Sequence, residues 1–160
     1  MVSAAAAIRR LPLLLLLMAA ASCDDDPSQP RVSGSSAVGP DGGVVEAQNG
    51  LAELDIPAGA LDQSVQISLV QTSASIIDTR LVAETVYALQ PQTMTLLEPA
   101  TLWIEYDPAF LQGGGEGSLR IHRLQTQGWT ESGVLHLAVD ATQNRVLASV
   151  IHGGVYAILR

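Results

Sequence analysis

The segment Leu51–Leu61, LAELDIPAGAL, alternates apolar and acidic residues before it reaches a proline. Its even-numbered residues from 52 to 56 are apolar, and the odd-numbered residues between them are acidic. This period of two predicts a β-strand with one face on a core. Pro57 cannot donate to a strand ladder and Gly59 permits a tight turn, so the strand is predicted to end there. Ile56 and Leu61 are predicted to close one end of the core.

The sequence on both sides of this segment predicts further strands. Asn49-Gly50 is a strong hairpin signal, and it joins the segment to a first strand at Val44–Gln48. Turn residues then divide the chain about every eight to twelve residues, with no amphipathic helix longer than a turn or two. This pattern predicts an all-β fold, an antiparallel β-sandwich or barrel. Further strands are predicted at Ser64–Thr72, Val82–Leu89, Thr93–Leu97, Ala100–Tyr106, Ser118–Gln125, Gly128–Glu131, Val134–Asp140, Arg145–Ile151 and Val155–Leu159.

The N-terminal residues 1–22 have the pattern of an export signal. Arg9 and Arg10 precede the apolar run Leu11–Met18, which is too short for a stable membrane span. Four small residues follow, and then the only cysteine, Cys23. This arrangement resembles the cleavage site of bacterial lipoproteins, although Ala20 stands where leucine is commonest in that family.

The lipoprotein resemblance implies that the mature chain begins at an acylated Cys23. Because stable anchoring needs more than one acyl chain, and bacterial lipoproteins typically carry three, it implies firm attachment to a membrane. The alternative is ordinary cleavage near Ser22 that leaves a free thiol. The sequence does not decide whether the chain is located at the inner membrane, at the outer membrane or on the cell surface.

The charge of the mature chain excludes two classes of partner. Removal of residues 1–22 leaves six Arg against sixteen Asp and Glu, a net charge of −10. Nucleic acid binding needs a basic surface, and so does electrostatic adhesion to anionic lipid. Attachment to a membrane is therefore assigned to the acyl chains alone.

The composition divides the mature chain into a linker and one domain. Residues 23–43 contain three consecutive aspartates and then a stretch rich in Pro, Ser and Gly, which is typical of a flexible tether. Residues 44–160 carry the strand pattern and form the predicted folded domain.

Several motifs in the domain together resemble the ZU-five domain, the β-sandwich of ankyrins and of Unc-five-type netrin receptors. The resemblance runs from about residue 42 to the end of the chain. The motifs are Gly42-Gly43, the Leu54–Leu61 segment, Val86–Leu89 before a proline, Pro99–Thr101 leading to Tyr106–Pro108, Gly128-Trp129 and Val155–Ile158. In ankyrins and netrin receptors this domain docks other proteins, so the resemblance implies an interaction or structural module and not an enzyme.

Some members of the ZU-five family cleave themselves at a His-Phe-Ser motif. The matching residues of this chain are His152, Gly153 and Gly154, so the histidine is present and the nucleophilic hydroxyl is absent from the motif. Nucleophilic catalysis needs a hydroxyl or thiol beside a base. We therefore expect no autoproteolysis and no other catalytic residue.

The remaining candidate sites are one tryptophan and the histidines. Trp103 lies between two residues of the core phase, so it is predicted to point outward as a contact for a protein partner. A carbohydrate-binding module or an enzyme accessory domain that uses this Trp103 face is the alternative. His122 and His136 are predicted on the polar phase of their strands, with Asp140 on the same face as His136. They lack zinc-ligand spacing, so no metal or other cofactor is expected.

The sequence therefore predicts an exported, lipid-anchored β-sandwich that acts by contact with a protein. Pairing with a second copy through an edge strand is a further alternative.

Overall fold

The computed structural model describes residues 34–111, 113 and 115–160. The predicted signal peptide, Cys23 and the first part of the predicted tether lie outside these residues. The described chain is all-β, with eleven strands and two short 3-10 helices at Pro108–Leu111 and Glu116–Ser118. The strands are β1 Ser35–Val38, β2 Gly43–Glu46, β3 Ala52–Ile56, β4 Val65–Gln71, β5 Tyr87–Gln90, β6 Thr95–Glu105, β7 Arg120–Gln125, β8 Gly128–Thr130, β9 Val134–Asp140, β10 Arg145–His152 and β11 Gly154–Leu159.

The strands form two antiparallel sheets that enclose one main core, which confirms the predicted sandwich. The six-stranded sheet has the order β1-β4-β5-β11-β7-β8, and the five-stranded sheet has the order β2-β3-β6-β10-β9. The core contains side chains from both sheets. Its largest fully buried members are Tyr87, Tyr156, Leu54, Ile56, Ile67, Leu69, Leu89, Leu102, Ile104, Leu119, Ile121 and Ile158.

The Leu51–Leu61 segment forms β3 and the turn after it, as its alternation predicts. β3 pairs with β2 across the Asn49-Gly50 turn and with β6 on its other side. Ile56 and Leu61 are both buried in the main core. A side chain at Gly42 would place its Cβ 2.4 Å from the carbonyl oxygen of Ile56, so this hairpin requires glycine there.

The folded domain begins before the predicted boundary at Val44. β1 lies within the predicted tether, where it pairs with β4 as the edge of the six-stranded sheet. Val38 at the end of β1 is 3% exposed and belongs to the core. The short serine-rich strand has a composition typical of linkers, and pairing with β4 is what holds it in the sheet.

Two strands differ from their predictions. The strand predicted at Val82–Leu89 is shorter, since β5 covers only Tyr87–Gln90. β6 runs without a break from Thr95 to Glu105 and joins the two strands predicted on either side of Glu98-Pro99. The neighbouring strand β10 changes register between Val150 and His152, opposite this part of β6. A proline is tolerated at such an irregularity because no regular ladder bond is required from its nitrogen.

Candidate interaction surface

The indole ring of Trp103 lies near the middle of the five-stranded sheet, on the side that faces away from the core. Its neighbours Leu102 and Ile104 are fully buried, so the predicted outward direction is confirmed. Its Nε1 donates a hydrogen bond of 3.0 Å to Glu53 Oε1. The guanidinium of Arg145 lies over the ring, 3.9 Å from its centroid. Trp103 is therefore half-buried, and a cation covers its aromatic ring.

Apolar and acidic residues are distributed unevenly over this outer face. Paired residues of neighbouring strands share a face, so the register defines rows across the sheet. One row runs from Glu53 through Trp103 and Leu147 to Ala138. The next row begins at the acidic β3 and ends at Leu135 of β9. We call the β2–β3 side the acidic half, because Glu46, Glu53 and Asp55 lie there beside one exposed valine, Val44. We call the β9–β10 side the apolar half, because the leucines of β9 and β10 lie there beside a single charged pair, Asp140 and Arg145.

The apolar half ends at an open sheet edge. β9 is the last strand of the five-stranded sheet and has seven residues, whereas the edge strands β1, β2 and β8 have four or fewer. Leu135 is 66% exposed and Leu137 is 49% exposed. The register with β10 shifts at this point, since Leu147 pairs with Ala138 and Ala148 pairs with His136. Leu137 is the extra residue of this β-bulge, which re-aims its side chain.

The five-stranded sheet carries little positive charge. The five strands contain six carboxylates, and Arg145 is their only Arg or Lys. Arg145 Nε lies 3.5 Å from Glu105 Oε2, a long contact that neutralises only part of the negative charge. Hydrogen bonds from the Thr142 side chain and nearby backbone hold the pKa of Asp140 below its usual value, so this carboxylate stays ionised near neutral pH. The six carboxylates are Glu46, Glu53, Asp55, Glu98, Glu105 and Asp140.

An acidic groove of about 360 Å³ adjoins this face at Glu105. Glu84 and Asp107 contribute two further carboxylates to its lining, and Phe110 contributes an aromatic side chain. Positive charge on a partner is therefore favoured both on the β2–β3 half and in the groove beside it.

The outer face of the six-stranded sheet differs because other parts of the chain cover its β11 region, although Val70 of β4 stays exposed. Ala157 and Leu159 of β11 are buried in a second apolar cluster with Val86. Trp129 packs against this cluster, and its Nε1 donates a 3.1 Å hydrogen bond to the carbonyl oxygen of Ile76 in the long connection before β5. Within the described residues, the two buried apolar clusters are the main core and this one, so neither covers the leucines of β9.

Of the histidines His122 and His136, only His136 departs from its predicted face. His122 faces away from the main core as predicted, but it is 8% exposed, with Nδ1 3.2 Å from the carbonyl oxygen of Arg120 and Nε2 3.4 Å from Glu131. His136 pairs with the buried Ala148 and faces the core side, whereas Asp140 pairs with Arg145 on the outer side. The predicted shared face of His136 and Asp140 is therefore wrong, because the bulge at Leu137 shifts the alternation.

The histidines and carboxylates of the described residues form no group of three that could hold a metal ion. Burial, assisted by the positive charge of Arg120, lowers the pKa of His136. This ring is therefore held in its neutral form near neutral pH, half-buried within the sandwich.

The residues His152, Gly153 and Gly154 form the corner at which the chain passes from β10 in one sheet to β11 in the other. A Cβ at Gly153 would lie 1.9 Å from the carbonyl oxygen of Pro91. Gly154 has a φ of +146°, and a Cβ there would lie 2.8 Å from Arg123 Nε. Gly153 is therefore required because of a backbone contact, and Gly154 because of its positive φ. The absence of autoproteolysis stays a prediction.

The structure adds one contact to His152 that the sequence did not indicate. Its Nδ1 lies 3.2 Å from Oγ1 of Thr95, a residue far away along the chain. The hydroxyl of Tyr156 donates to the carbonyl oxygen of His152. These contacts fasten the corner to β6 and β11. No local pattern pairs Thr95 with His152, because the pairing depends on the register of β6 with β10.

No known family model matches the chain, and no curated protein is detectably similar to it. Among the described residues, no helix is both long enough and apolar enough to cross a bilayer.

Proposed function

We propose that this chain is an exported, lipid-anchored module that acts by contact with a protein through the outer face of its five-stranded sheet. One observation carries the proposal. An apolar cluster covers the β11 part of the outer face of the six-stranded sheet, although Val70 of β4 stays exposed, whereas Leu135 and Leu137 stay exposed side by side on the five-stranded sheet. Exposed leucines that adjoin one another are typical of interaction sites.

The binding face comprises the outward side chains of β2, β3, β6, β10 and β9. Its apolar half supplies side chains that a partner can bury, and each leucine so buried contributes about 1.5 to 3 kcal/mol. Its acidic half supplies charge that selects the partner. The open edge of β9 offers backbone hydrogen bonds to an added strand.

A protein partner is favoured over a glycan by the surroundings of Trp103. A sugar that stacks on tryptophan needs one open ring face. In this protein the Arg145 guanidinium lies over the ring and Glu53 accepts the Nε1 hydrogen bond. A glycan would have to displace Arg145 from a face that it already occupies.

The contact half of the proposal is tested by affinity capture from an envelope extract. The unsubstituted chain should retain a defined set of proteins, and the Leu135→Ser/Leu137→Ser variant should lose them, because both leucines lie on the proposed face. Val70→Ser is the matched control, since Val70 is an exposed aliphatic residue of the other sheet. Equal capture by the unsubstituted chain and the double leucine variant would refute the proposed surface.

The anchoring half of the proposal is tested separately by metabolic labelling with a fatty-acid analogue. The chain should be labelled and should remain with the membrane fraction, and Cys23→Ala should lose both properties. A Cys23→Ala chain that is still labelled and still anchored would refute acylation at this residue.

A further inference from the structure

We infer that the partner bound by this face is a basic amphipathic polypeptide segment, with apolar side chains on one side and Lys or Arg beside them. This inference rests on the proposed function and adds the chemistry of the partner. It follows from the concentration of carboxylates on β3 and of exposed leucines on β9, at opposite sides of the binding face.

The apolar half determines where the apolar side of the partner lies. Leu135 and Leu137 are exposed at the edge, and the half-buried Leu147 of β10 extends the apolar surface towards Trp103. Leu147 pairs with both Ala138 and Trp103, so the apolar strip crosses three strands. A partner that covers this strip removes the leucines from water.

The acidic half determines where the basic side chains of the partner lie. Asp55 is exposed, and Glu53 lies one row along the same strand with its Oε1 held by Trp103 Nε1. Glu105 borders the groove that also contains Glu84 and Asp107. A partner seated on the leucines therefore has carboxylates within reach on the side towards β3 and at the end of β6.

The same charge distribution disfavours two other occupants. A second copy of the chain would present its own six strand carboxylates against these, and facing like charges oppose association. An anionic membrane surface would be repelled for the same reason. Positive charge beside an apolar strip is the arrangement that complements this face.

The inference is tested with the full-length chain, held by its C-terminus on a sensor surface with a detergent-only reference channel. The probes are two synthetic amphipathic peptides with the same leucine side and with either lysine or glutamate on the other side. The lysine peptide should bind at least about tenfold more tightly than the glutamate peptide. Its affinity should fall as salt is raised, because exposed charges are screened.

Matched variants locate the binding on the face. Glu53→Gln/Asp55→Asn should lower the affinity for the lysine peptide about tenfold. Leu135→Ser/Leu137→Ser should lower this affinity by about as much or more. Asp41→Asn/Asp62→Asn removes the same amount of charge at two exposed residues outside the five strands, and Val70→Ser changes an exposed residue of the other sheet. These two controls should bind like the unsubstituted chain.

The outcomes separate this inference from the proposed function. Both peptides could bind equally, with only the leucine variant lowering their affinity. The face would then be a docking site whose charge does not select the partner, and the basic partner would be refuted. If the charge controls weaken binding as much as Glu53→Gln/Asp55→Asn, the attraction is general and the inference is also refuted. Sedimentation of the chain as a dimer that dissociates in the leucine variant would assign the face to a second copy instead.

Discussion

Gly153 is the residue at which the sandwich tolerates least change. Because a Cβ would lie 1.9 Å from the carbonyl oxygen of Pro91, backbone would have to move to admit it. We expect Gly153→Ala to lower the free energy of unfolding by about 3 kcal/mol or more. Gly117→Ala is the control, since its Cβ meets nothing within 4 Å, and it should stay within about 0.5 kcal/mol. Urea denaturation measures both, and equal stability of the two variants would contradict this account of the corner.

The stack of Arg145 on Trp103 makes a second prediction about single residues. In a Trp129→Phe background, Trp103 is the only tryptophan, so acrylamide quenching reports on its ring alone. Arg145→Ala should increase the quenching and cost about 0.5 to 1 kcal/mol of stability. Arg80→Ala, which removes an exposed ion pair with Asp78, should leave the quenching unchanged. Quenching that does not respond to Arg145→Ala would show that the guanidinium does not shield the ring.

Local sequence predicts the direction of a side chain well and its surroundings poorly. Trp103 points outward because Leu102 and Ile104 on either side are core residues, and this much follows from alternation. Its contacts with Glu53 and Arg145 come from strands far away in the sequence. The same holds for His122. Its outward direction is predicted by alternation, but its burial depends on other parts of the folded chain.

At the scale of elements, the irregular strands are the ones that the sequence describes least well. The pattern of alternation across β9 contains no sign of the bulge at Leu137, and one extra residue is enough to move Asp140 to the opposite face from His136. Proline interrupts most strand ladders. Pro99 is tolerated inside β6 because β10 changes register beside it. Regular strands such as β3 and β4 have no such exception and match their predicted alternation.

β1 gives a prediction about a whole element. A chain that begins at residue 44 lacks β1, so it loses the ladder with β4 and the buried Val38. Its free energy of unfolding should be about 2 to 4 kcal/mol lower than that of a chain beginning at residue 34. Urea unfolding of the two chains measures the difference. Equal stability would restore the domain boundary predicted at Val44.

At the scale of the whole molecule, buried tyrosines should make the sandwich sensitive to alkali. Burial raises the pKa of Tyr156 from 10.0 to about 12, and burial with the nearby charge of Glu116 raises that of Tyr106 to about 12. Between pH 10 and about pH 12, these tyrosine hydroxyls lose their protons in the unfolded chain but keep them in the folded chain. The stabilisation that comes from these two tyrosines is therefore complete below pH 10 and is lost as the pH rises towards 12, by about 1.4 kcal/mol per pH unit for the more deeply buried Tyr156.

Tyr156→Phe checks this pH dependence. The variant removes one of the titrating groups, so its stability should fall less steeply with pH in the alkaline range. At neutral pH it should be about 1 kcal/mol less stable, because the hydrogen bond to the His152 carbonyl oxygen is lost. Urea unfolding from about pH 8 to about pH 11 measures both effects. Parallel pH profiles for the two proteins would show that Tyr156 does not titrate in this way.

The sandwich itself could be predicted because alternation and turn residues are local signals that recur along the whole domain. The two outer faces could not be told apart in advance. Whether a face is covered depends on where the connection before β5 and the side chain of Trp129 pack in the folded chain. Local sequence therefore does not distinguish the exposed leucines of β9 from apolar residues that the folded chain covers.

Photo-cross-linking in the cell tests the central claim, contact through the β9–β10 half of the five-stranded sheet, most directly. A photoreactive amino acid is placed in the full-length chain at Leu135, and at Val70 as the control on the other sheet, since both side chains are more than half exposed. We expect a cross-linked product of defined mass at residue 135 and none at residue 70. Equal products at both residues, or a product at residue 70 alone, would contradict this claim.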